Sequence, residues 1–210
     1  MKLSIIIPVF NKEKTIEAII QKVESVPLSI EKEIIVVNDG SFDNTKQVLN
    51  KLKEKYNFIF LEHQKNKGKG AAIKTGVKKA TGDIILIQDA DLEYDPNDYP
   101  ILINPFLRDK TEVIYGSRLL RKNPHSSKLY TLGGKFLTSV LNLLFETKLT
   151  DITTGYKVFK KGILKKLNLK ERRFAFCEEV TSKLIKNGYK IKEVPIYYRP
   201  RGFKKGKKIR

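Results

Sequence analysis

Four short apolar runs set the terms for this chain: LSIIIPV at 3–9, EIIVVND at 33–39, FIFL at 58–61 and GDIILIQD at 82–89. They are rich in β-branched residues and nearly continuous, the pattern of strands covered on both faces. Segments of helical period lie between them. One runs over 14–24, with Ile16, Ile19, Ile20 and Val23 on one side; one over about 44–55 is capped by Asp43; a third spans about 70–80. This alternation predicts an α/β domain with a mainly parallel central sheet and helices on both faces. Ligands of such sheets bind beyond the carboxyl ends of the strands.

The second half is less regular. Pro96 and Pro100 frame a helix over about 97–107, EVIYGSR at 112–118 reads as a strand, and 119–132 as a polar, basic loop. A helix over about 133–146 follows, with Leu137, Val140, Leu141 and Leu144 on one side. TDITTGYKVF at 150–159 runs from a turn into a strand, 175–187 is a helix, and YKIKEVPIYYRP at 189–200 is a last strand. One domain is expected over 1–198, with a ligand-binding half to about 118 and a second half from about 119. The segment 199–210, in which seven of twelve residues are Lys or Arg, reads either as a solvated tail or as a lid.

Net charge narrows the function. At +19, the chain suits nucleic acid, an anionic membrane surface or a phosphate-rich small substrate. Nucleic acid is set aside: apart from Phe203 no aromatic interleaves the basic tail, and no helix-turn-helix or zinc-finger pattern appears. One cysteine, Cys177, allows no internal disulfide and fits a cytoplasmic site, and two histidines with it make no zinc cluster. No stretch has the roughly 18 apolar residues of a membrane span, and the opening residues lack a signal-peptide pattern.

The most telling motif ends the fourth run. Asp89, Asp91, Glu93 and Asp95 fall within seven residues, and such crowding needs a cation, a proton or a basic side chain. Alternation turns Asp89 and Asp91 to the same side. They read as oxygen ligands for Mg²⁺ or Mn²⁺, or as caps of the following helix. Asp39 in NDGSFDNT stands at another carboxyl end, where it could accept from a base or ribose or simply shape a turn. NKGKGAA at 66–72 matches no standard phosphate loop, yet its helix start could meet a ligand with its amides. Arg118 and Arg201 offer phosphate partners; Glu178 and Glu179 sit where a helix dipole favours them.

In order, SIIIPVFN, EIIVVNDGSFDNT, NKGKGAAIKTG, GDIILIQDADLEYDP, VIYGSR, TDITTGYKVF, FCEEVTSKL and EVPIYYRPRGFKKGKKI resemble the inverting family 2 glycosyltransferases of GT-A fold. Within them the series is most similar to dolichol- or polyprenyl-phosphate mannose and glucose synthases. The resemblance implies a Rossmann-like GT-A domain that moves a sugar, with inversion, from a UDP- or GDP-linked donor to a polyprenyl (dolichyl or undecaprenyl) phosphate. The alternative within the family is a saccharide or other hydroxyl acceptor in cell-surface polysaccharide synthesis.

The implied roles follow position by position. Pro8, Asn11 and Asp39 would hold the nucleoside, with Gly68 and Lys69 on the donor side. Asp89 and Asp91 would bind metal and diphosphate, joined by Glu93 at the metal. Arg118, Arg201, Lys207 and Lys208 would meet phosphates, Asp151 and Glu179 would line the acceptor side, and Asp91, Arg118, Asp151 and Glu179 form the catalytic set. The 119–132 loop would be a mobile acceptor loop. The expected setting is peripheral, at the cytosolic face of an anionic membrane. Lys12 departs from the family, where Glu commonly follows the Asn of PVFN, and relatives commonly continue past GKKI into membrane helices.

Overall fold

The structure, a computed structural model, describes residues 1–124, 128–173 and 175–201, with the backbone alone at 128–130. In chain order it contains β1 (Lys2–Val9), α1 (Ile16–Ser25), β2 (Glu31–Asn38), α2 (Thr45–Leu52), β3 (Ile59–Glu62), α3 (Lys69–Lys79) and β4 (Ile84–Ile87). A 3₁₀ turn at Pro96–Asp98 leads into α4 (Tyr99–Arg108). Then come β5 (Val113–Ser117), α5 (Lys128–Phe145), β6 (Lys157–Lys160), α6 (Lys161–Lys166), α7 (Phe176–Lys186) and β7 (Ile191–Pro195). The seven strands form one sheet in the order β3-β2-β1-β4-β6-β5-β7. β1 pairs in parallel with β2 and β4, β2 with β3, and β5 with β7, while β6 runs antiparallel between β4 and β5.

Alternation along the strands divides the core into two layers. Ile5, Ile7, Val36 and Leu86 pack on one face with Ile16, Ile19 and Ile20 of α1, Leu49 of α2 and Leu102 of α4. Ile6, Ile35, Val37, Ile85 and Ile87 pack on the other with Ala72 and Ile73 of α3 and Val180 and Leu184 of α7. Both faces are covered, which is why these strands read as continuous apolar runs rather than alternating ones.

Four segments differ from the sequence reading, the first two because side chains rather than a ladder satisfy the backbone. Of the turn and strand expected over 150–159, the strand is confined to Lys157–Lys160. Before it, the amides of Thr150 and Asp151 donate to Glu193, and buried Lys157 donates to the carbonyls of Ile152 and Thr154, 2.8 Å each. The last strand stops at Pro195, and the Tyr197 amide turns instead to Asp98 Oδ2 at 2.7 Å. α5 starts at Lys128, and of the face expected for it only Leu141 reaches the core. α6 was not expected at all; it is short and rests on Ile163 and Leu164.

A carboxylate ties the amino end of the sheet. Glu33 Oε1 accepts from Ser4 Oγ at 2.5 Å and the Thr81 amide at 2.7 Å, Oε2 accepts from Thr81 Oγ1, and Lys2 Nζ lies 3.2 Å from Oε2. Burial raises its pKa, but these donors outweigh burial and bring it down to about 2. A carboxyl depressed on folding stabilises the fold above its unfolded pKa and loses that contribution as pH falls through the folded value. Discounted for solvent screening, the effect is about 1–2 kcal/mol. Glu33→Gln is therefore expected to lower stability by that amount at pH 7 and hardly at all at pH 2, as read by urea melts across that range. Equal losses at both pH values would show that the charge contributes nothing.

Candidate functional site

The acid cluster lies just beyond the carboxyl end of β4, and its backbone is fixed by Gln88. That fully buried amide accepts the hydroxyls of Tyr99 and Tyr156 at 2.7 Å each and donates to the Asp89 carbonyl at 2.9 Å. Of the four carboxylates, Asp95 is a cap, accepting from the Asn97 amide. The other three meet cations of the chain itself. Lys69 Nζ stands 2.5 Å from Asp89 Oδ1, and Arg201 reaches Asp91 Oδ2 with Nη2 at 2.7 Å and Glu93 Oε1 with Nε at 3.1 Å. Burial, then the neighbouring Asp89 and Glu93 charges, push the Asp91 pKa up, against the pull of Arg201 and Lys12. Burial pulls the Lys69 pKa down, but the charge and hydrogen bond of Asp89 together with the neighbouring negative groups outweigh it and leave it raised.

Glu93 is fully engaged. Besides Arg201 Nε it accepts the Arg201 amide at Oε1 and the Tyr198 hydroxyl at Oε2, 2.7 Å away, while its carbonyl takes the Arg199 amide. It anchors a strap, 196–201, laid across the cluster. Asn123 ties the same strap to the loop after β5: its amide donates to the carbonyls of Arg118 and Ile196 and accepts from the Tyr198 amide, all at 2.9 Å. Arg118 lies over the Tyr198 ring and Arg121 over that of Tyr197. As far as Arg201 the basic segment is thus docked on the acids; Lys207 and Lys208 lie outside the described residues.

Gly155 brings the second half of the chain to the cluster. A Cβ there would stand 2.5 Å from Asp89 Oδ2 and 2.8 Å from the Tyr94 ring, so only glycine leaves room for the carboxylate. Its amide donates to the Tyr94 hydroxyl at 2.7 Å. The same turn presents Asp151, which Arg118 grips with Nε on Oδ2 and Nη2 on Oδ1, 2.7 Å each. Burial would raise the Asp151 pKa, but the guanidinium holds it below the ordinary carboxylate range. Glu179 does not join this group. It accepts the amides of Lys170 and Glu171 and pairs with Lys183, and these contacts outweigh burial and lower its pKa as well.

On the β1–β2 side, Asp39 is buried and its oxygens are largely taken. Oδ1 receives the Lys67 amide at 3.0 Å and lies 2.6 Å from His63 Nδ1, while Oδ2 receives the Gly68 amide at 2.8 Å. Asp39 thereby shapes the turn that delivers Lys69 to Asp89. Gly68, at φ +97°, is walled by the Arg172 carbonyl, which also takes the Ala71 amide at the start of α3. The amino end of α3 is thus occupied by the chain. Asn11, at φ +51°, accepts the Phe42 amide and donates its own to Ser41, lacing the turns after β1 and β2; Pro8 sits one residue before the end of β1.

Among the described residues no three His, Cys, Asp or Glu side chains converge as a metal set. Asp89 and Asp91 nonetheless suit a hard cation. They are two carboxylates held on one rigid edge that already draw two cationic side chains of the chain, with room for one of them preserved by Gly155. Sequence reasoning found these acids but not Gln88, Asn123, Gly155 or Lys157. An uncharged amide at the end of an apolar strand and the TTG turn were the available signals.

The comparisons with known proteins point to one family and one fold. The model of the family described as "Glycosyl transferase family 2" matches residues 4–167. A UDP-N-acetylglucosamine–dolichyl-phosphate N-acetylglucosaminyltransferase of Methanococcus voltae is 34% identical over 215 residues, covering 91% of this chain and 83% of the relative. A dolichol-phosphate mannosyltransferase of Pyrococcus furiosus is 29% identical, covering 94% of this chain but 56% of the relative. Glucosyl-3-phosphoglycerate synthase of Mycobacterium tuberculosis, solved with Mn²⁺, UDP and phosphoglyceric acid, superposes with TM-score 0.73 at 19% identity over 97% of this chain and 72% of that one. At that identity the likeness concerns the fold, which is GT-A. With a family match over most of its length and a relative above 30% identity, the chain belongs to glycosyl transferase family 2.

Proposed function

We propose that the chain transfers a sugar from a UDP-linked donor to a polyprenyl phosphate, inverting the anomeric centre. The observation that carries this reading is the state of Asp151 and Glu179. Both are held by cations and amides with lowered pKa values, so neither is set up to take a proton near pH 7. An acceptor that needs no protein base fits such a site. A phosphate monoester, with its second pKa near about 6, arrives already anionic. The names of the two curated relatives, both acting on dolichyl phosphates, support the same acceptor, and the first supports UDP.

The chain's residues then divide the work. Residues to about 118 form the donor half and those from about 119 the acceptor half. Pro8, Asn11 and Asp39 frame the nucleoside. Gly68 shapes the turn that carries Lys69; Lys69 and Arg201 face the diphosphate; Arg118, steadied by Asp151, faces the acceptor phosphate; Lys207 and Lys208, outside the described residues, are kept as the phosphate partners that the family resemblance implies. Asp89 and Asp91 would hold Mg²⁺ or Mn²⁺, which supplies positive charge for the leaving diphosphate. Glu93 acts here through the strap it anchors. Glu179 acts through the 170–171 backbone.

We assign α5 to an anionic membrane surface. Among the described residues no helix is long and apolar enough to cross a membrane. Yet Leu132, Phe136, Leu143 and Leu144 are each 65–82% exposed along α5. Lys135 on the helix and Arg121, Lys122 and Lys148 beside it supply positive charge.

Two expected outcomes test the reading. Radiolabelled sugar from a UDP-linked donor should pass to a short polyprenyl phosphate and not to the matching polyprenol; efficient transfer to the alcohol would restore the hydroxyl-acceptor alternative. A Phe136→Ser/Leu143→Ser/Leu144→Ser variant should sediment less with phosphatidylglycerol vesicles, by about tenfold given the apolar area lost, while binding UDP normally. Undiminished sedimentation would remove α5 from the membrane.

A further inference from the structure

Phe42 is unexplained by the site described above. Its side chain is 83% exposed, the most of any large apolar residue described, although it sits on a firmly held turn. Its amide donates to Asn11 Oδ1 at 3.0 Å. The Ser41 amide on one side donates to Asn38 Oδ1, and Asp43 on the other receives the Thr45 amide. A rigid loop that keeps a benzyl group in water is unfavourable unless something covers the ring.

Its surroundings narrow what that is. The turn directly follows β2, and Asp39 at its start donates its amide to the Val9 carbonyl at the end of β1. Phe10, just past β1, lies 5.7 Å from Phe42 between ring centroids with the planes at 79°. Two rings near right angles form a corner into which a flat ring fits, stacked on one and edge-on to the other. The corner opens at the carboxyl edge of the parallel strands, where ligands of such sheets bind.

We propose that Phe42 is a donor-binding residue that stacks on the nucleobase of the donor. The proposal rests on the nucleoside diphosphate reading given above and adds the group that holds the base. Phe42 supplies a π-face, Phe10 closes the corner, and the strained Asn11 backbone fixes the spacing of the two turns. Loss of a base–aromatic stack weakens binding by about fivefold to a hundredfold.

Calorimetry of wild type, Phe42→Ala and Phe42→Trp against UDP and against inorganic pyrophosphate, each with Mn²⁺, tests this. Phe42→Ala should weaken UDP about tenfold or more and leave pyrophosphate within twofold, and Phe42→Trp should retain UDP binding. Equal UDP affinity in wild type and Phe42→Ala overturns the proposal while leaving the donor reading intact, all the more if Phe42→Ala instead lowers binding to phosphatidylglycerol vesicles. A parallel loss of UDP and pyrophosphate in Phe42→Ala also overturns it. Wild type that binds neither ligand overturns the donor reading and the proposal together.

Discussion

Negative charge crowded at the end of a buried strand is the constraint around which the rest of this molecule is arranged. β4 cannot end in Asp89, Asp91 and Glu93 without compensation, and the chain supplies it from two distant places. Lys69 comes from the turn organised by Asp39, and Arg201 from the strap anchored on Glu93. Each cation is thus delivered by another carboxylate. Such pairs in a partly buried site hold geometry more than they add stability. They leave a ring of donors and acceptors at the edge where the donor diphosphate and a divalent cation are proposed to bind.

The second half of the chain is folded so as to reach this edge. Inserting β6 antiparallel between β4 and β5 places the turn before it directly over the cluster. Lys157, buried and lying 4.1 Å from the Tyr115 ring centroid, holds that turn by two carbonyls. The turn in turn sets Gly155 against Asp89 and Asp151 against Arg118. Asn123 joins the strap to the loop that leads toward α5, so the parts proposed to meet donor phosphate and acceptor share one hydrogen-bonded frame.

Much of this was legible in the sequence where local pattern and burial coincide. β1, β2 and β4 are covered on both faces, so their apolar runs are continuous, and α1 shows its stripe in Ile16, Ile19, Ile20 and Val23. The chain's order of elements then gave a parallel sheet, and the acids at its edge followed. What stayed hidden is set by side chains from far along the chain. Strand pairing in 150–156 is replaced by Glu193 and Lys157, and β7 is cut at Pro195 by Asp98. Glu93, read as one more metal ligand, is also held by Tyr198 and Arg201, more than a hundred residues away, which no local pattern shows. Glu179, read as lining the acceptor side, accepts the Lys170 and Glu171 amides, contacts no local pattern shows.

The central claim is that the Asp89–Asp91 edge, with the space kept by Gly155, is where donor diphosphate and divalent cation bind together. UDP affinity measured by calorimetry with and without Mn²⁺, in wild type and in Gly155→Ala, tests it most directly. The account predicts that Mn²⁺ strengthens UDP binding by about tenfold or more in wild type, a coupling of ordinary size, and that Gly155→Ala remains folded but loses the increment. Wild-type affinity indifferent to Mn²⁺, or an increment undiminished in Gly155→Ala, would contradict it.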